Sequence, residues 1–147
     1  EQFITQDGLN NSATKLFPPG TLMMAMYGQG KTRGKVAILG IKASINQACA
    51  AISLNENIDH DYAFHYLISQ YEAIRNLSNI GNQENLNGLI IRSIKIPIPP
   101  FPEQRVIASV LSDMDAEIAA LETRRAKTQA IKQGMMQELL TGKTRLV

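Results

Sequence analysis

No proline interrupts the chain between positions 103 and 140, and that segment is built largely from Ala, Leu, Glu, Gln, Lys and Arg, all strong helix formers. Such a stretch predicts one helix of about 57 Å, at roughly 1.5 Å per residue. Within it Ile107, Leu111, Met114, Ile118 and Leu121 recur at alternating steps of four and three, the spacing of a coiled-coil seam. The same steps then land on Arg125, Thr128 and Lys132 before apolar character returns at Met135 and Leu139. Either the seam shifts to Ile131 or a polar layer fixes the register. Gly142 suits a C-terminal cap, with Lys143 and Arg145 near the negative helix end. A helix this long cannot bury its seam against itself, and the sequence holds no second copy. It therefore calls for self-association or for pairing with a segment outside the chain. The alternative, packing on the preceding residues alone, asks a small sheet to cover too much length.

The residues ahead of the helix read differently. Phe17-Pro18-Pro19-Gly20-Thr21 is a turn, because Pro fixes φ and Gly permits a sharp reversal. A buried strand is predicted over 22–27 and a second over 36–39, joined as a hairpin by the glycine-punctuated loop Gly28-Gln29-Gly30-Lys31-Thr32-Arg33-Gly34-Lys35. A third strand is predicted over 45–52. Phe64, Leu67, Ile68, Tyr71, Ile74 and Leu77 predict one amphipathic helix over 61–77, with N-cap candidates at 57–61. After a polar loop at 81–88, Ile94, Ile96 and Ile98 alternate with Lys95 and Pro97, giving a strand that the proline confines to an edge or an end. Pro99-Pro100-Phe101-Pro102 then breaks the pattern, with Pro102 suited to the first helical position and Glu103 to the positive helix end. The predicted fold class is α+β: a small mixed or antiparallel sheet domain with one amphipathic helix over 1–101, then a long coiled-coil-like helix over 102–147.

Composition excludes several classes. A hydrophobic fraction of 44% with only 19% charged residues belongs to a folded chain rather than a disordered one. Cys49 is the single cysteine, with no partner for a disulfide or a CxxC metal pair, which implies a reducing, cytoplasmic setting. No apolar run approaches the roughly 20 residues that cross a bilayer, and no signal core is visible. A start at Glu1 rather than Met suggests a fragment. The net charge is only +2, yet no Asp or Glu occurs from position 8 to 55, where Lys15, Lys31, Arg33, Lys35 and Lys42 lie. That one-sided stretch is a candidate anion-binding face.

At residues 28–35, at Ile45-Asn46-Gln47, and above all at Ile96-Pro97-Ile98-Pro99-Pro100-Phe101-Pro102-Glu103-Gln104 with Ile107-Ala108, the chain resembles the specificity subunits of type I restriction-modification systems. The closing Met136-Gln137-Glu138-Leu139-Leu140-Thr141-Gly142-Lys143-Thr144-Arg145-Leu146 is similar to their helix end. The resemblance implies a non-catalytic subunit in which a target recognition domain reads half of a split DNA site. A whole subunit has two such domains and two antiparallel helices, which space the readers and dock methyltransferase subunits, with restriction subunits joining the complex. This chain holds one helix and the later part of one recognition domain.

Lys31, Thr32, Arg33 and Lys35 on a glycine loop can approach phosphates, and Arg33 can read guanine through two parallel hydrogen bonds. Gln29, Gln83 and Asn85 carry amides suited to adenine edges, whereas Asn46 reads better as a loop cap. The pairing seam comprises Ile107, Leu111, Met114, Ile118, Leu121, Ile131, Met135 and Leu139. No cofactor, metal or catalytic residue is expected. Two other classes compete. In an adaptor the helix would do everything. In a P-loop enzyme Ala25 to Thr32 would cradle phosphates, but such a loop must open a helix, and the next residues read as a strand. Cys49 with His60 or His65 is a weak catalytic pair, because the thiol lies among Ala and Ile. The two histidines are spaced five apart, poorly for a shared metal on one helix face. Asp113, Asp115, Glu117 and Glu122 read as a solvated face.

Overall fold

A computed structural model describes residues 4–28, 30–79 and 85–147. Two compact units are present, Glu1–Ala108 and Ser109–Val147.

The first unit opens with helix α1 (Gln6–Asn10), capped by the Thr5 side chain, which accepts from the Gly8 N–H. The apolar run after the Pro-Pro-Gly turn forms β2 (Leu22–Ala25), with Leu22 and Met24 fully buried. It is the centre of a three-stranded antiparallel sheet in the order β3 (Val36–Ile38), β2, β5 (Cys49–Ile52). Leu22 lies opposite both Ile38 and Ile52, so the hairpin takes the predicted pairing. A separate ribbon joins β1 (Leu16–Phe17) to β4 (Ala43–Ser44), with Leu16 opposite Ser44. The turn between β1 and β2 is closed by the Thr21 hydroxyl, which donates to the Pro18 carbonyl at 2.8 Å.

Helices α2 (His60–Ser69) and α3 (Tyr71–Asn76) cover the sheet, followed by a 3-10 turn, Leu77–Asn79. Asp59 caps α2, its carboxylate accepting from the Asp61 and Tyr62 N–H groups at 3.1 and 3.0 Å. Leu22, Met24, Ala63, Leu67, Ile74 and Leu86 form the core, and partly buried Ile90, Ile91, Ile94 and Ile96 pack against it. Of the side-chain stripe expected of one amphipathic helix, Phe64, Leu67 and Ile74 face this core, whereas Ile68 and Leu77 are exposed.

Three expectations need correction. The strand expected over 45–52 is confined to β5 (Cys49–Ile52), because the Asn46 side chain accepts from the Ala48 N–H at 2.9 Å and turns the chain ahead of it. The helix expected over 61–77 breaks at Gln70, which has left helical geometry at φ −92° and ψ 9°. The strand expected around Ile94, Ile96 and Ile98 does not form. Instead α4 (Gly88–Ser93), capped by Asn87, precedes residues that join no ladder. Their prolines lack N–H donors, and the Tyr66 and Tyr62 hydroxyls donate to the Lys95 and Pro97 carbonyls at 3.2 and 2.9 Å.

Helix α5 (Phe101–Leu140) is unbroken over 40 residues, about 60 Å at the usual rise. Gln104 and Ala108 are its buried residues, so its first two turns belong to the first unit. Gly142 closes it with φ 70°; its N–H donates to the Leu139 carbonyl at 3.2 Å, and the Thr144 N–H to the Glu138 carbonyl at 3.0 Å. Among the described residues no helix is long and apolar enough to cross a membrane.

Candidate nucleic-acid interface

Where β2 ends, three connecting segments converge. The Ala25 N–H donates to the Lys35 carbonyl and the Gly34 N–H to the Ala25 carbonyl, both at 2.9 Å, which anchors the basic loop. The Met26 N–H donates to the Ala48 carbonyl at 2.8 Å, which brings in the turn at Asn46 and Gln47. The Leu86 N–H donates to the Met26 carbonyl at 2.9 Å, which brings in Asn85. Sheet pairing thus gathers side chains far apart in sequence onto one end of the sheet. Lys31, Thr32, Lys35 and Asn85 are exposed there. Gln29 and Gln83 lie outside the described residues.

The basic loop is pinned rather than loose. The Tyr71 hydroxyl donates to the Lys31 carbonyl at 2.8 Å, and the Arg75 guanidinium donates to the Tyr71 oxygen at 3.1 Å. Glycine is required at position 28, where φ is 126° and a Cβ would meet that of Thr32 at 2.8 Å. Gly34 packs on Ile74 and Arg75 with φ 83°. Arg33 differs from its neighbours. It is only 4% exposed, so its guanidinium is not presented to a base edge as the sequence reading expected.

A second feature was not legible in the sequence. Beside the β1–β4 ribbon lies an open groove of about 880 Å³, lined by Thr14, Lys15, Ser44, Asn46 and Gln47 among others. Those five residues come from the stretch without carboxylates, so they contribute one cation and several hydrogen-bonding groups. The usable signal was Asn46-Gln47 inside that stretch. Two-residue strands leave no periodicity from which the pairing of Leu16 with Ser44 can be read.

Gln104 explains the Glu-Gln motif. Fully buried, its side-chain oxygen accepts from the Asp59 N–H at 2.9 Å, and its nitrogen donates to the Asn57 and Pro99 carbonyls at 3.0 and 2.9 Å. One amide therefore ties the first turn of α5 to the start of α2 and to the proline-rich lead-in. Nearby, burial pushes the Tyr62 phenol above its ordinary range, with smaller contributions from Tyr66 and Glu103.

Most of the seam along α5 is open to solvent. Leu111, Met114, Ile118, Leu121, Ile131 and Met135 are exposed, with Leu111 at 37% the least so, while Ile107 and Leu139 are half-buried. The helix is also divided by charge. Positions 106–123 hold Asp113, Asp115, Glu117 and Glu122 and no Lys or Arg, whereas 123–137 hold Arg124, Arg125, Lys127 and Lys132 and no acid.

Residues 28–35 run from β2 into β3, not into a helix, so the loop lacks the helix N-terminus that a P-loop uses. Among the described residues no group of three or more His, Cys, Asp or Glu is placed to hold a metal ion.

Comparison with known proteins fixes the family. Residues 1–133 match the type I restriction modification DNA specificity domain, and the chain belongs to that family. Two proteins of Methanocaldococcus jannaschii named as type I restriction enzyme specificity subunits are similar. MjaX is 32% identical, over 77% of this chain and 27% of its own length, and MjaVIII is 27% identical, over 98% and 36%. The chain thus spans about a third of the length of these curated relatives. A chain from a structure of type I R-M complex assembly and conformational transition shares the fold, with a TM-score of 0.70 at 22% identity, covering 84% of this chain and 30% of that one.

Proposed function

We propose that this chain is one DNA-reading arm of a type I restriction-modification specificity subunit and carries no catalytic step of its own. Lys31 and Lys35 contact phosphates, while Thr32, Asn85 and the amides of Gln29 and Gln83 serve base contact. Arg33 keeps the loop in shape instead of reading guanine. The observation that carries this reading is the meeting of three segments at the Ala25 end of the sheet, where the exposed lysines come from a stretch without carboxylates. A run of cations without intervening acids attracts a polyanion.

Helix α5 holds two readers apart. Half-sites on one face of a duplex lie roughly 34 to 36 Å apart per helical turn, and a helix of about 60 Å spans that interval. In the isolated chain the partner helix is a second copy, paired antiparallel through Ile107, Leu111, Met114, Ile118, Leu121, Ile131, Met135 and Leu139. The same paired helices dock methyltransferase subunits, and through them restriction subunits, in the cytoplasm. An adaptor that never touches DNA accounts for the seam but leaves the lysine-bearing sheet end without a role.

Co-purification with the cognate methyltransferase subunit, followed by mapping of methylated adenines, tests the reading. The expected result is a stable complex that methylates one bipartite sequence. A complex that methylates nothing, or no complex at all, contradicts it.

A further inference from the structure

Resting on the self-pairing proposed above, we infer the register of that pair: two copies of α5 cross antiparallel about an axis at Thr123. The seam steps are symmetric about that residue. Ile107 then faces Leu139 of the second copy and Leu111 faces Met135, which closes both ends of the rod with apolar layers. Toward the centre the apolar half of one helix meets the half in which the seam falters. Met114 faces Lys132, Ile118 faces Thr128, and Leu121 faces Arg125. Each layer joins an a position to a d position, as antiparallel packing requires.

The polar seam positions are therefore part of the design of the pair. Lys and Arg lay aliphatic stems over apolar neighbours while their charged ends reach past them. Here those ends meet acids. Lys132 reaches the flank that carries Asp113 and Asp115, and Arg125 and Arg124 reach the flank that carries Glu117 and Glu122. Ile131 lies beside Lys132 and covers the edge of the Met114 layer. Parallel pairing would set the acidic half of one helix on the acidic half of the other, and basic on basic. A one-heptad slip would leave an apolar end layer without a partner. Charge segregation and seam symmetry thus select the same arrangement, and register errors are opposed by repulsion.

Spin labels on Ser109 or Gln137, both exposed and off the seam, read this register directly in the Cys49→Ser background. The two sites are equally far from Thr123. Each should give the same distance between copies, with an axial component of about 42 Å at 1.5 Å per residue. A heptad slip would shorten one distance and lengthen the other by about 10 Å, which overturns the register while leaving self-pairing intact. Short distances at both sites overturn the antiparallel orientation, and no measurable distance at either overturns self-pairing itself. Glu117→Lys with Glu122→Lys should weaken the dimer about tenfold at low salt, and adding Arg124→Glu with Arg125→Glu should restore it. Dimerisation indifferent to these reversals overturns the charge argument.

Discussion

The unit ending at Ala108 and the helical unit from Ser109 onward solve the same problem in opposite ways. The first buries Leu22, Met24, Leu67, Ile74 and Leu86 almost completely and satisfies its chain crossings with side-chain hydrogen bonds. The second leaves Met114, Ile118, Leu121, Ile131 and Met135 more than half exposed. Helix propensity alone leaves an isolated helix marginal, and stability comes from burial of an apolar face. The first unit thus closes an apolar core, whereas the second leaves its apolar face open.

Breaking the seam should give the largest effect. Leu111→Asp with Ile118→Asp removes two apolar contacts per copy and buries charge on pairing. The dimer should weaken by more than about a thousandfold, or roughly 4 kcal/mol, as read by light scattering against concentration. The thermal transition of the first unit should hardly move. If that transition falls with the dimer, the two units are not independent.

Gln104→Leu is the converse change. It leaves the Asp59 N–H and the Asn57 and Pro99 carbonyls without the partners they now have. At roughly 1 kcal/mol or more for each buried group left unmatched, the first unit should lose about 3 kcal/mol in denaturant unfolding. Unchanged unfolding would show that the amide is dispensable.

Removing one lysine of the basic loop should spare both units and alter only binding. Lys31→Ala and Lys35→Ala should each reduce the log-log salt slope of DNA affinity by about 0.9, from near −3.6 for about four neutralised phosphates. A slope unchanged by both would relocate the phosphate contacts.

Alkaline titration should give the smallest effect. Burial raises the Tyr62 phenol above its ordinary value of 10.0. The folded state therefore holds the proton more tightly than the unfolded one. That contribution is fully present below about pH 10 and is lost as pH climbs through the folded pKa. Tyr62→Phe should be about 1 kcal/mol less stable at neutral pH, having lost the bond to the Pro97 carbonyl, and should fall less steeply than the native chain above pH 10. Parallel curves would contradict the assignment.

The same contrast explains what could be read from the sequence. Helix α5 was legible because its spacing and composition are local properties. The β2–β3 hairpin was legible from an apolar run and a glycine loop. What escaped depends on tertiary contact. No Gly or Pro marks the break at Gln70, and Asn87 signals a cap for α4 only once the chain around it is folded. Alternation at Ile94, Ile96 and Ile98 imitates a strand, but the intervening Lys95 and Pro97 carbonyls accept from tyrosine hydroxyls on α2. Arg33 reads as a loop cation, yet it is buried in a loop whose glycine packs against α3. At the site, charge was legible. The convergence at Ala25 and Met26 was not, because it is made by backbone bonds between segments up to sixty residues apart, from Met26 to Leu86.

Selection of bound duplexes from a randomised pool by the unmodified 147-residue chain tests the central claim most directly. A twofold pair of readers joined by one rod should enrich an inverted repeat whose halves are separated by a constant, unread interval. Recovery of no common sequence, or of a single undivided site, would contradict the account.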